Sequence, residues 1–163
     1  MMKRNNFPFS AVLGLNHAKT AILIVLVNPR AGGLLISGPR GIGKSTLMRS
    51  TQELIERPWR DIPVSVTEDR LFGTIDTEKA IYSGQKKLYP GIINEADQGV
   101  LYLDDANLLR EDLLDFILNI AEVGAYQLER DGLSLRCDTS FTVIAAINPE
   151  SGMLSGAITV KLV

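Results

Sequence analysis

Several kinds of chemistry are excluded by what this sequence lacks. A single cysteine, Cys137, leaves no internal disulfide framework and fits a reducing compartment. With no second thiol and no neighbouring histidine, Cys137 is a poor metal ligand or nucleophile. The one histidine, His17, falls on an expected helix and reads as a surface residue. Neither sign of charge dominates: 17 Lys and Arg face 19 Asp and Glu, so no basic footprint argues for nucleic acid. The longest apolar run, Ala21–Val27, is too short to span a bilayer. The N-terminus, Met1-Met-Lys-Arg-Asn-Asn-Phe-Pro-Phe9, has no apolar stretch behind its positive charges and is not expected to act as a signal peptide. Neither an internal repeat nor a low-complexity segment occurs. The expectation is a cytoplasmic protein with no membrane and no nucleic acid among its partners. At 163 residues, 45% hydrophobic and 22% charged, residues 1–163 are expected to make one domain large enough to bury a sizeable core.

What is present centres on Gly33–Thr46. The apolar Leu34-Leu35-Ile36 reads as a buried strand and breaks into a turn matching G-x-x-x-x-G-K-[ST] from Gly38 to Ser45. Such a loop, here Gly38, Pro39, Arg40, Gly41, Ile42 and Gly43, folds tightly enough for successive amides to cradle phosphate oxygens. A helix beginning near Lys44 and continuing through Ser45 and Thr46 adds its positive end to the same spot. Lys44 would reach the outer phosphates and the Ser45 hydroxyl would ligate Mg²⁺. Arg40, at a variable loop position, reads as solvent-facing. The absence of an Asn-Lys-x-Asp motif favours adenine over guanine, hence ATP.

In chain order, the apolar lead-in 7–15 precedes a helix capped by Asn16 and running to Val27, with Ala18, Ala21, Ile22, Val25 and Leu26 on one face. After the loop, Leu47, Met48, Leu54 and Ile55 continue a helix until Pro58. Ile62–Val66 is an expected strand, demoted by Pro63. Phe72–Asp76 reads as a turn or small hairpin, Thr77–Tyr82 as a short helix, Tyr89–Gly91 as a break and Ile92–Ala96 as a helical turn. Val100–Leu103 is a buried strand, Leu108–Val123 an amphipathic helix closed by Gly124, and Gln127–Arg136 a hairpin turning at Asp131-Gly132. Phe141–Ile147 is the last clear strand. Alternating strands and helices imply an α/β fold with a parallel sheet, and ligands in such sheets sit beyond the carboxyl ends of the strands.

Two further candidates lie at strand ends. Asp104-Asp105 follows Val100–Leu103, where one carboxylate can hold the metal's water shell (Asp104) and a second can orient the attacking water (Asp105). The alternative is a pair of aspartates capping the next helix. Asn148 could hydrogen-bond the attacking water or the terminal phosphate, or serve only an Asn-Pro turn.

These residues resemble the ATPase subunit of magnesium chelatase, a motor of the AAA+ class. Besides the loop, the resemblance is carried by Phe7-Pro-Phe9, Thr67-Glu-Asp-Arg70, Gly73-Thr-Ile-Asp-Thr-Glu-Lys-Ala80, Pro90-Gly-Ile-Ile93, Gly99–Asp104, Asn107-Leu-Leu109, Glu129-Arg-Asp-Gly-Leu-Ser134 and Asn148–Gly152. It implies an AAA+ P-loop NTPase core in which Gly38–Ser45 is the Walker A loop, Leu103-Asp104-Asp105 the Walker B segment and Asn148 the sensor, so that Lys44, Asp105 and Asn148 serve hydrolysis. The Glu68–Glu95 and Gln127–Arg136 stretches would be β-hairpin insertions used for contacts. The resemblance further implies a homo-oligomeric ring, a second AAA+ chelatase subunit and a large porphyrin-binding subunit that inserts Mg²⁺ into protoporphyrin IX.

Two positions depart from that pattern. The family carries glutamate where this chain has Asp105. After Gly152 it continues with an arginine-bearing segment and a helical lid, whereas Ser151–Val163 here matches neither, so the lid is expected to be absent. Ile158–Val163 could add a last strand to the sheet. Alternatives are another AAA+ ATPase, such as a cobaltochelatase subunit or a MoxR-like chaperone that activates metalloproteins, and a truncated nucleotide-binding module without turnover.

Overall fold

Val100 and Tyr102 turn to one side of the central sheet while Leu101 and Leu103 turn to the other, and this alternation builds two cores. The computed structural model describes residues 7–29, 32–76, 88–130, 132–152 and 154. Its elements are α1 (Asn16–Val27), β1 (Leu34–Ser37), α2 (Lys44–Thr51), β2 (Trp59–Ile62), α3 (Glu68–Phe72), β3 (Gly73–Ile75), β4 (Leu88–Pro90), α4 (Ile92–Glu95), β5 (Gly99–Leu103), α5 (Glu111–Val123), β6 (Ala125–Arg130), β7 (Leu133–Asp138) and β8 (Phe141–Ile147). Among the described residues, four parallel strands form the main sheet in the order β1-β8-β5-β2. Helices cover both of its faces. Ile22 and Leu26 of α1 and Leu47 and Met48 of α2 pack with Val100, Tyr102, Ile144 and Ala146. On the opposite face Leu113, Leu114 and Ile117 of α5 pack with Leu101, Leu103, Val143 and Ala145. The α/β expectation therefore holds.

Local chemistry moves several boundaries. Asn16 is the first helical residue rather than the cap, because Leu15 already takes the left-handed conformation (φ +51°) that turns the chain into α1. The expected apolar face of α1 is nonetheless the inner one. As the sheet edge among the described residues, β1 is only partly buried, with Ile36 its one buried residue. The helix after the loop ends at Thr51, a turn earlier than its periodicity suggested. The Ser50 and Thr51 hydroxyls both donate to the Leu47 carbonyl, at 2.7 and 2.8 Å, competing with the helical ladder there. A single 3₁₀ turn follows, and Leu54 is 45% exposed.

The second strand lies before Pro63, not across it. Proline has no N–H for the ladder, so Trp59–Ile62 pairs with β5 and the Val66 amide closes a turn on the Pro63 carbonyl at 3.0 Å. Likewise the amphipathic helix starts at Glu111, after a 3₁₀ turn over Ala106–Leu108, and ends as expected on Gly124 (φ +78°). Gly73–Ile75 pairs antiparallel with Leu88–Pro90, making the turn-and-break region a two-stranded ribbon. The second hairpin is longer than expected, Ala125–Arg130 against Leu133–Asp138. The short helix expected over 77–82, the strand over 158–163 and Asp131 of the hairpin turn lie outside the described residues.

Candidate phosphate and metal site

β8 lies between β1 and β5, and Ser37 registers with Ile147 while Leu103 registers with Ala145. The three strands therefore end side by side, bringing Gly38, Asp104 and Asn148 to one edge of the sheet. The Gly38 amide donates to the Ile147 carbonyl at 3.3 Å, tying the loop's first residue to β8.

Left-handed backbone at Gly41 and Gly43 (φ +84° and +91°) lets the loop turn back before α2. Lys44 opens α2 and is 7% exposed. Its ammonium donates to the Gly38 and Pro39 carbonyls at 2.6 and 2.8 Å, so the lysine braces the loop that it follows. Lys44, Ser45, Thr46, Asp104 and Asp105 line one cavity of about 280 Å³ with Arg40, Gly41 and Gly43. Sites that enclose a drug-sized ligand run to about 300–1,000 Å³, so this cavity suits the polyphosphate and metal end of a nucleotide. Gly38, Pro39 and Ile42 do not line this cavity: the first two meet Lys44 through their carbonyls, and Ile42 is 41% exposed.

Asp105 takes the left-handed conformation (φ +50°, ψ +48°), which aspartate tolerates better than most residues. Its backbone carbonyl accepts the Leu108 amide at 2.8 Å to start the 3₁₀ turn. The capping alternative is thus half realised: Asp105 caps through its backbone, with no cap bond from its side chain, and lines the cavity. Among the described residues no three His, Cys, Asp or Glu gather as a protein-only metal cage. One hydroxyl and two carboxylates suit Mg²⁺, which keeps several waters and takes other ligands from phosphates. A second feature fits a metal here. The Tyr102 hydroxyl is buried and completes no hydrogen bond of full geometry, while Asp104 and Ser45 stand near enough to act on it, and its pKa is raised by burial first and by the Asp104 charge second.

Asn148 is 1% exposed and does not line that cavity. Its Oδ1 accepts the Glu150 amide at 3.1 Å and its Nδ2 donates to the Ser151 hydroxyl at 3.1 Å, so its carboxamide caps the Pro149–Ser151 turn. The Asn-Pro turn reading is therefore realised in this arrangement. Arg40 is exposed, as its variable loop position suggested, and its guanidinium also donates to the same Ser151 hydroxyl at 3.4 Å. Two residues of this edge escaped sequence reasoning as site residues. Asn107 pairs with the Asn148 backbone, and Tyr102 approaches Ser45 and Asp104. Alternation gave one signal, because residues 102 and 104 share a strand face. His17 is exposed on α1 and Cys137 is buried on β7, so neither joins the site.

Away from this edge, Thr67 caps α3 by accepting the Arg70 amide at 3.4 Å, Arg70 pairs with Glu95, and Glu68 pairs with Arg110. The Thr-Glu-Asp-Arg stretch thus knits the insertion together. No helix among the described residues is long and apolar enough to cross a membrane.

A parallel sheet whose adjacent strand ends carry a glycine loop with its lysine, a pair of aspartates and a buried asparagine defines a P-loop NTPase. The chain belongs to the AAA domain family (dynein-related subfamily), which matches residues 33–158. It is 36% identical to the magnesium-chelatase subunit ChlI of Olisthodiscus luteus over 91% of this chain and 52% of that protein. It is 35% identical to the magnesium-chelatase 38 kDa subunit of Cereibacter sphaeroides over 91% of this chain and 54% of the relative. The chain therefore spans about half the length of these relatives. A structure of the complex between subunits BchI and BchD of magnesium chelatase matches with a TM-score of 0.84 at 34% identity, covering 98% of this chain and 60% of that one. The resemblance read from the sequence is thereby borne out.

Proposed function

We propose that this chain is the nucleotide-binding part of a magnesium chelatase-type motor, which binds and hydrolyses ATP with Mg²⁺ to drive metal insertion by its partners. The observation that carries this reading is the shared cavity of Lys44, Ser45, Asp104 and Asp105 at the carboxyl edge of the sheet. Loop residues 38–43 and the first turn of α2 bind the phosphates, and Lys44 exchanges its loop carbonyls for phosphate oxygens. Ser45 and Asp104 would hold Mg²⁺, which neutralises charge on the phosphates. Asp105 orients the attacking water, and Asn148 reaches the terminal phosphate once its turn rearranges.

The partners are further copies in a ring, a second AAA+ subunit and a large porphyrin-binding subunit, on which Mg²⁺ enters protoporphyrin IX. The β3–β4 ribbon and the β6–β7 hairpin supply contact surfaces, and the site of action is the cytoplasm. Phosphate release, measured alone and with full-length chelatase subunits against a Lys44→Ala control, tests this. Turnover above the control supports the motor; none under any condition overturns it.

One observation favours a second reading, a nucleotide-binding module without turnover. Both polar atoms of the Asn148 carboxamide are engaged in its own turn. ATP binding that is lost in Lys44→Ala, with no turnover in any mixture, would select this reading.

A further inference from the structure

We propose that Tyr102 is a positioning residue for the metal half of the site, its hydroxyl setting the geometry of Asp104 and Ser45. This rests on the nucleotide reading above. Tyr102 is 4% exposed, and its ring packs among Leu47, Met48, Ile144 and Ala146, 5.8 Å from the Trp59 ring. A phenylalanine would fill that apolar space as well. The hydroxyl is the part that packing leaves unexplained, because buried tyrosine hydroxyls ordinarily find partners and this one completes no hydrogen bond of full geometry, with Asp104 and Ser45 the groups near enough to make one. Its polar neighbours are Ser45, on the first turn of α2, and Asp104, two residues along the same strand face.

Those two neighbours are the residues assigned to the cation. A serine hydroxyl that gives its oxygen to a cation must send its proton elsewhere, and a carboxylate beside a cation holds its angle best with an outer hydrogen bond. One phenol oxygen meets both needs. It accepts the Ser45 proton and donates its own to Asp104. The buried hydroxyl is thus held ready for an arrangement that forms with the metal and nucleotide, and it acts through Asp104 and Ser45 rather than on the phosphates.

The test is Tyr102→Phe in the whole chain, with a fluorescent ATP analogue titrated at increasing free Mg²⁺ and thermal midpoints recorded alongside. The expected result is unchanged nucleotide affinity in chelator and a free Mg²⁺ requirement raised roughly 10-fold, the low end for loss of an outer-sphere partner. The thermal midpoint should be equal or higher, since a buried hydroxyl that completes no hydrogen bond is gone. In an Asp104→Asn background the same change should add a smaller shift, because only the Ser45 half of its role is left to lose. An unaltered Mg²⁺ requirement overturns the proposal, whatever happens to the midpoint, as does an equal shift in the Asp104→Asn background. If the wild-type chain itself shows no Mg²⁺-dependent binding and Lys44→Ala changes nothing, the nucleotide reading falls and takes this one with it.

Discussion

Asn107 and Asn148, 41 positions apart in sequence, are joined by a pair of hydrogen bonds between one side chain and one backbone. The Asn107 Nδ2 donates to the Asn148 carbonyl at 3.2 Å, and the Asn148 amide donates to the Asn107 Oδ1 at 3.4 Å. Asn107 Nδ2 also donates to the Gly152 carbonyl at 3.2 Å. The turn after β5 thus clamps the end of β8. Asn107→Leu keeps the bulk but strands the Asn148 backbone groups. It should cost about 1–3 kcal/mol in urea unfolding and speed hydrogen exchange at the Asn148 amide. Equal stability and unchanged exchange would show that the clamp is not maintained in solution.

Asp105→Asn tests the water-orienting role without changing shape. Its neutral carboxamide should leave ATP affinity within about 3-fold but lower phosphate release by roughly 10²-fold or more, within the range of general base catalysis. Asp105→Glu lengthens the arm by one methylene, toward the glutamate that the family resemblance implies at this position, and should raise turnover. If both variants turn over ATP at the wild-type rate, Asp105 is a backbone cap and nothing more.

Lys44→Met should weaken ATP binding by at least about 10-fold, since a charge-assisted bond to phosphate contributes roughly 1.5–3 kcal/mol. It should also loosen the loop, because the ammonium bridges the Gly38 and Pro39 carbonyls. Calorimetric titration with ATP reads the first effect, and proteolysis within 38–43 reads the second.

Glu95 carries the pH prediction. Hydrogen bonding to Arg70 is the largest influence on it, and with Arg60 it outweighs burial, holding the carboxyl below its usual 4.5. A depressed folded-state pKa means that the folded state binds fewer protons than the unfolded one. The stabilisation is therefore present above about pH 4.5 and is lost as pH falls through the lower folded value. Glu95→Gln should cost about 0.5–1 kcal/mol at pH 7, modest because both arginines are partly exposed, with the difference closing in acid. A gap between the two proteins that is independent of pH would contradict this.

The sheet was legible because its buried strands are short apolar runs bounded by polar turns, as Val100–Leu103 and Phe141–Ile147 illustrate. The loop and the Asp104-Asp105 pair were legible because their residue types are dictated by phosphate and cation chemistry. Boundaries set by single hydroxyls or one proline were not, as the early end of α2 and the shifted β2 show. The Asn-Pro turn at Asn148 was one of two readings left open, and the clamp from Asn107 was hidden, for another reason. An amide has no signature that says whether its partner is a ligand, a neighbouring turn or a residue forty positions away. Arg40 is solvated as it reads, and only its bond to Ser151, 111 positions away, was beyond the sequence.

The placement of β8 between β1 and β5 has a consequence for tolerance to length change. Side chains alternate along β8, with Ile144 and Ala146 serving one core and Val143, Ala145 and Ile147 the other. Deleting one residue there would exchange the two sets and turn the following asparagine to the wrong side of the sheet. The β6–β7 hairpin, which among the described residues pairs only with itself, should accept insertions between its two strands that β8 cannot.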